Sequence, residues 1–129
     1  MEYIDLRLPS GTLWKTANED QYYAADCALK TFKAALPTKE HFQELLEFTL
    51  HWFDTYLSGM WFLGRNGKQL FLPAITFQNG PKLCKSGFYW TASSFGITNR
   101  YCFYFDNLYF MPMFCYHNSK APIRLILPK

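Results

Sequence analysis

Apolar and polar positions change their period twice along this chain. Residues 2 to 17 alternate, with Ile4, Leu6 and Leu8 between Tyr3, Asp5 and Arg7, until Pro9-Ser10-Gly11 turns the chain into Thr12-Leu13-Trp14. That pattern predicts a hairpin with Trp14 in the core. The period then lengthens. Asn18 ahead of Glu19, Asp20 and Gln21 has the form of a helix cap with acids at the positive end of the dipole, and Tyr22, Ala25, Leu29 and Phe32 recur at helical spacing. A helix near 19–33 follows. Leu36-Pro37 ends that unit and Thr38 opens a second helix near 38–50, with Phe42, Leu45, Leu46 and Thr49 inward and Lys39, Gln43, Glu44 and Glu47 in water.

Beyond Leu50 the alternation returns. Residues 52–57 read as a strand, and 60–63 with 69–72 as a hairpin about Asn66-Gly67, two residues that tolerate positive φ. The Gly-, Pro-, Lys- and Asn-rich stretch from Gln78 to Gly87 reads as a surface loop, and Ile123 to Leu127 as a buried closing strand. No repeat or linker divides the chain, so the expected fold class is α+β: one domain over 1–129, two helices packed on antiparallel strands and hairpins. Trp14, Phe42, Leu45, Leu72, Trp90, Phe103 and Phe105 are the expected core.

The most unusual stretch is 87–118, where aromatic side chains crowd two short runs almost free of charge. Tyr101 to Phe105 and Leu108 to Met111 flank Asp106-Asn107, a hairpin signal. Alternation puts Tyr101, Phe103 and Phe105 on one face and Cys102, Tyr104 and Asp106 on the other. Two readings are open. Either the second face is an exposed interaction surface, since an unpartnered buried Asp106 would be costly, or both faces are buried between layers. On the first reading Phe95, Ile97, Asn99, Tyr104, Asp106, Tyr109, Phe114, Tyr116 and His117 form one solvent-facing ligand-binding surface, because the loop 95–100 leads into the strand and the run 113–117 returns beside it.

Composition narrows the function. The net charge of +3 is small and its Lys and Arg residues are scattered, so no nucleic-acid footprint is expected. No apolar run is long enough for a membrane span, and the opening residues lack the pattern of a signal peptide. The expected location is therefore cytoplasmic as synthesised, with a phage particle or the cell surface as further destinations. Cys27, Cys84, Cys102 and Cys115 have no C-x-x-C spacing and are expected to be reduced fillers; in an oxidising compartment Cys102 and Cys115, on neighbouring strands, could pair. From Thr55 onward the one carboxylate side chain is Asp106, so no acid pair for general acid/base catalysis lies near the aromatic surface. His41, His51 and His117 lack ligand spacing, and no cluster of oxygen ligands suits calcium. No metal, cofactor or catalytic residue is assigned, and the chain is not expected to be an enzyme.

Four landmarks in order, LPSGTLW at 8–14, ALPTKEHFQELLE at 35–47, NGKQLFLPA at 66–74 and SGFYWTASS at 86–94, resemble the Bacteroides-type domains named after the major paralogous proteins of Fibrobacter succinogenes. The resemblance implies a C-type-lectin-like fold, related to the formylglycine-generating enzyme. Pro122-Ile123-Arg124-Leu125-Ile126 keeps the Arg of that family's usual ending and loses the following Pro. The two closely spaced cysteines of the enzyme have no match in Cys102 and Cys115, nor do the Glu-Pro-Asn, Gln-Pro-Asp or Trp-Asn-Asp triplets of calcium lectins appear. The same family includes the variable proteins of diversity-generating retroelements, whose C-terminal segment is rewritten at adenines. Adenine-adenine-pyrimidine codons changed at their adenines cannot become Lys, Glu, Gln, Trp or Met. Between Thr91 and Ser119 the chain has no Lys, Glu, Gln or Trp, with Met111 and Met113 as the departures. The resemblance thus implies a variable segment at 91–118 and a binding module for a macromolecular ligand, a protein or a surface glycan. The alternatives are a structural subunit of a phage or cell-surface assembly and, less favoured, a formylglycine-generating-type enzyme.

Overall fold

The computed structural model describes residues 2–75, 85–95, 99–108, 110–116 and 120–128, with the backbone alone at Phe95, Asn99 and 110–116. The described residues form a mixed α+β arrangement of two helices and four small antiparallel sheets. The expected loop at 78–87 falls largely outside them.

The first hairpin is as its alternation predicts. Strand β1 (Tyr3–Asp5) pairs with β2 (Leu13–Lys15) in the register Ile4↔Trp14, and Trp14 is fully buried. Its turn is tied down from a distance: Ser10 donates from both its amide and its hydroxyl to the Glu44 carboxylate, at 2.9 and 2.7 Å.

The first helix begins later than the sequence pattern suggests. Strand β3 (Tyr23–Ala24) precedes α1 (Ala25–Phe32), and a 3-10 turn, Lys33–Ala35, follows. Asn18 caps nothing. Its side chain serves a buried network, its neighbour Glu19 donates its amide to Ile123 O at 3.0 Å, and Tyr23–Ala24 pairs with β10 (Lys120–Ala121). Tertiary partners thus outcompete a local helix start. The second helix, α2 (Lys39–Phe48), obeys its local signal: Thr38 accepts from the His41 amide and His41 Nδ1 accepts from the Thr38 amide at 2.9 Å, a capping box with His in the Glu position. Phe42 and Leu45 face inward, fully buried.

A three-stranded sheet follows, β4 (Leu50–Asp54), β5 (Gly59–Leu63) and β6 (Gln69–Pro73), with β4 at its edge. The expected strand at 52–57 is shorter and shifted because Asp54 stops it. Asp54 Oδ1 accepts from the amides of Leu57 and Tyr56, Oδ2 accepts from Trp61 Nε1 at 3.1 Å, and these bonds hold its carboxyl below the usual carboxylate range. The last sheet is β7 (Ser86–Phe95), β8 (Asn99–Asp106) and β9 (Phe110–Tyr116).

Two apolar clusters sandwich that last sheet. Cross-strand pairs alternate between them: Tyr89↔Phe103 belongs to the cluster that contains Trp14, Phe42, Leu45 and Leu72, and Trp90↔Cys102 to the cluster that contains Ala28, Leu36, Ile123 and Leu125. Phe103 stacks on Phe42 with ring centroids 4.6 Å apart. Every residue expected in the core is fully buried. Of the two readings left open for the face that carries Cys102, burial between layers holds at this position: Cys102 is 1% exposed, because α1 and the chain's last segment cover the side of β8 that faces away from α2.

That last segment is buried as expected but is no continuous strand. Its backbone bonds go to different elements in turn, Lys15 N to Leu125 O, Ile126 N to Ala35 O and Leu127 N to Leu13 O, so no single ladder forms. At its centre Arg124, 2% exposed, donates to three neutral oxygens: Asn18 Oδ1 at 2.7 Å, Phe71 O at 2.9 Å and Lys15 O at 3.2 Å. Asn18 Nδ2 in turn donates to the Tyr89 hydroxyl at 2.9 Å, which donates to Pro73 O at 2.8 Å. Burial lowers the pKa of Arg124 and raises that of Tyr89.

The Tyr89 shift has a sign that can be tested. A folded-state pKa above the unfolded value means a contribution that is complete below pH of about 10 and is lost as pH rises toward the folded value. In urea unfolding followed across that alkaline range, the wild type should lose more stability than Tyr89→Phe, whose slope with pH should be shallower. Equal slopes would remove Tyr89 from the alkaline transition.

Candidate functional site

The aromatic stretch lies on β7, β8 and β9, and the register of these strands fixes what it can bring together. Phe95 pairs with Asn99, and Asn99 pairs with Tyr116, so these three positions form one cross-strand row at the end of the sheet. Phe114 pairs with Tyr101, two residues nearer the middle. Tyr104 and Asp106 stand elsewhere. They pair with Phe88 and Ser86, belong to the opposite alternation, and lie five and seven residues along β8 from Asn99, roughly 16 and 23 Å at about 3.3 Å per residue. Among the described positions, Tyr104 and Asp106 therefore stand apart from the row of Phe95, Asn99 and Tyr116. Ile97, Tyr109 and His117 lie outside the described residues.

At the near end Tyr104 and Asp106 have structural work. The Tyr104 hydroxyl donates to Asp106 Oδ2 at 2.5 Å, Asp106 Oδ1 accepts from the Leu108 amide at 2.7 Å, and the Tyr104 ring packs on Phe88 at 5.0 Å. This explains how a carboxylate is tolerated half-buried there, where the sequence offered no partner for it. Asn107 and Leu108, at the turn, are exposed. Beside them is an open groove of about 310 Å³ lined by Phe53, Thr55, Ser58, Lys85 and Asn107.

At the far end the sheet is held from both helices. Arg100 donates from Nη2 and Nε to Asp26 Oδ1 of α1 at 2.6 and 3.2 Å, and Lys39 at the start of α2 holds its ammonium 4.1 Å from the Tyr101 ring centroid. The Lys39 amide donates to Ser93 Oγ at 3.0 Å, and Ala92 N donates to Pro37 O at 2.8 Å. A register shift in β7 between Trp90 and Ser94 accompanies these contacts. Asp26, Lys39, Ser93, Arg100 and Tyr101 were absent from the expected site. Only the cross-strand register and the helix positions disclose them, since none has a spacing in sequence that links it to the others.

Cys102 is disulfide-bonded, which corrects the expectation of a reduced filler; its partner side chain is outside the described ones, and Cys27 is an exposed thiol. The register puts Cys102 opposite Met113 and Arg100 opposite Cys115. A disulfide at Cys102 stabilises mainly by restricting the unfolded chain, typically by about 2–4 kcal/mol. Dithiothreitol should accordingly lower the urea midpoint of the wild type and leave that of Cys102→Ala unmoved. A midpoint indifferent to reductant would contradict the bond.

Among the described residues no group of three His, Cys, Asp or Glu is placed to hold a metal ion, and no helix is long and apolar enough to cross a membrane. His41 is engaged in the α2 cap and His51 lies on β4. Comparison with protein-family models, curated proteins and solved structures returns no match for this chain.

Proposed function

We propose that the chain is a ligand-binding module with a C-type-lectin-like scaffold and a variable segment at 91–118, a variable protein of a diversity-generating retroelement that recognises a protein or surface glycan and performs no catalysis. The four sequence landmarks behind the resemblance fall on the first hairpin, on α2, on the hairpin into β6 and on β7. One observation carries the reading. The strands that bear residues 91–116 are gripped at Trp90, Cys102, Phe103 and Phe105 by apolar clusters on both faces, while Phe95, Asn99 and Tyr116 align in one row beyond the gripped part.

A binder of changeable specificity needs that division. The core positions hold the backbone fixed, and wherever a position beyond them faces water a substitution costs little stability, about 0.5 kcal/mol or less. Rigid aromatic and small polar side chains on such a frame lose little conformational entropy on binding.

Two measurements test the proposal. The DNA beside the gene should contain a reverse transcriptase and a near-copy of the codons for 91–119 that differs at adenines; neither being present would sink the retroelement reading. A surface-displayed library randomised at 95, 99, 114 and 116 should stay mostly protease-resistant. Collapse of most members would show that these positions belong to the core and that the far end is structural.

A further inference from the structure

The cap of α2 is built on a residue type that changes charge near neutral pH. A capping box ordinarily has Glu or Gln at the third helical position, and here that position is His41. Its Nδ1 lies 2.9 Å from the Thr38 amide nitrogen. A backbone N–H can only donate, so Nδ1 presents a lone pair and the ring is neutral, with its proton on Nε2. In return the Thr38 hydroxyl accepts from the His41 amide at 3.3 Å. Protonation would set one N–H against another. The Thr38 hydroxyl oxygen, 3.0 Å from Nδ1, could take the new proton, but the Thr38 amide would still lose its acceptor.

The grip of α2 on the last sheet hangs on this cap. Residues on either side of Thr38 carry the bonds described above: Pro37 O accepts from Ala92 N, the Lys39 amide donates to Ser93 Oγ, and the Lys39 ammonium lies over the Tyr101 ring. Fraying of the first turn of α2 would release them together. We propose that His41 is a proton-sensitive latch, which with a neutral ring closes the first turn of α2 onto the far end of β7 and β8, and which on acidification leaves the cap and lets that end loosen. The latch follows from the cap geometry and holds whatever the far end binds.

Neighbouring charges do not override the direction of the bond. Among the described residues Lys39 and Glu40 lie 4.0 Å apart, Arg100 of β8 is tied to Asp26 of α1, and Glu44, one turn along from His41, already accepts from the amide and hydroxyl of Ser10. Asp106 is at the other end of β8, and β7 and β9 have no Asp, Glu, Lys, Arg or His in sequence. Tyr89 on β7 and Tyr101 and Tyr104 on β8 are phenols, which carry no charge at neutral or acidic pH. The positive end of the helix dipole disfavours an imidazolium at this place. The unfolded chain takes up the same proton near pH of about 6.5 without breaking a cap, so the contribution of the cap is complete above that value and is lost as pH falls through it and below.

Urea unfolding at pH of about 7.5 and about 5.5 tests this against His41→Gln, because Gln accepts from the same amide and does not titrate. Between the two conditions the unfolded-to-folded ratio of the wild type should rise about fivefold more than that of His41→Gln. His51 and His117 are present in both proteins and cancel. Hydrogen exchange on peptides covering 36–42 and 90–94 locates the effect: relative to intrinsic rates, both segments should lose protection on acidification in the wild type and keep it in His41→Gln. His41→Ala has no box at either pH, so its slope should be equally shallow and its exchange at neutral pH should match that of the acidified wild type. A folding defect in one variant therefore leaves the other to report. A wild-type slope no steeper than those of the variants overturns the proposal. So does a steeper slope with protection at 36–42 and 90–94 unchanged, which would put the effect of His41 outside the latch.

Discussion

Replacing Arg124 by Met is expected to lower the unfolding free energy by about 3–5 kcal/mol, read from urea denaturation at neutral pH. The guanidinium is 2% exposed and is the shared donor for Asn18 Oδ1, Lys15 O and Phe71 O. A thioether fills much of the same volume but donates nothing, so those oxygens would lose their bonds inside the protein, at about 1–3 kcal/mol for each one that water fails to reach. Asn18 would also lose its orientation toward Tyr89. Arg124→Lys should recover only part of the loss, because one ammonium cannot span acceptors on β2, on β6 and at residue 18 with the reach of a planar fork. A loss below about 1 kcal/mol for Arg124→Met would mean that water or a local shift replaces the network, and that the last segment is held by its apolar side chains alone.

Truncating Phe105 to Ala should cost a similar amount, about 3–5 kcal/mol. Its ring is fully buried against Phe103, Phe53 and Tyr89. The ring also covers Gly87, where an added Cβ would lie 2.4 Å from Phe105 Cζ. Gly87→Ala alone should therefore destabilise by about 1–3 kcal/mol through overpacking. The double variant should cost less than the two single changes added together, because the new methyl then enters space that the ring has left. Additive losses would show that the two sites do not touch in solution.

Where the sequence could be read correctly, one local signal sufficed. Thr38 before a run with Phe42 and Leu45 at helical spacing locates α2 to within a residue or two, and seven residues expected in the core are buried. Asn18 misleads for a definite reason. The same side-chain amide that caps helices is here a two-sided connector between Arg124 and Tyr89, and no local pattern can announce a partner more than a hundred residues away. The strand faces failed similarly: alternation sorts Cys102, Tyr104 and Asp106 together but cannot say that a second layer covers Cys102 and stops short of Asp106. Trp52, Trp61 and Phe71 likewise read in sequence only as members of separate strands, and register alone aligns them across β4, β5 and β6.

The bonds from 13–15 to 125–127 also bear on how fast the chain can fold. They join segments separated by about 110 residues, and such pairings form only after the entropy of closing a long loop has been met, which is characteristic of folding in milliseconds to seconds rather than microseconds. Residues 91–118 sit wholly inside that loop. If that closure is the rate-limiting step and the far end of β7, β8 and β9 forms only after it, substitutions there should leave the folding rate nearly constant and change the unfolding rate instead.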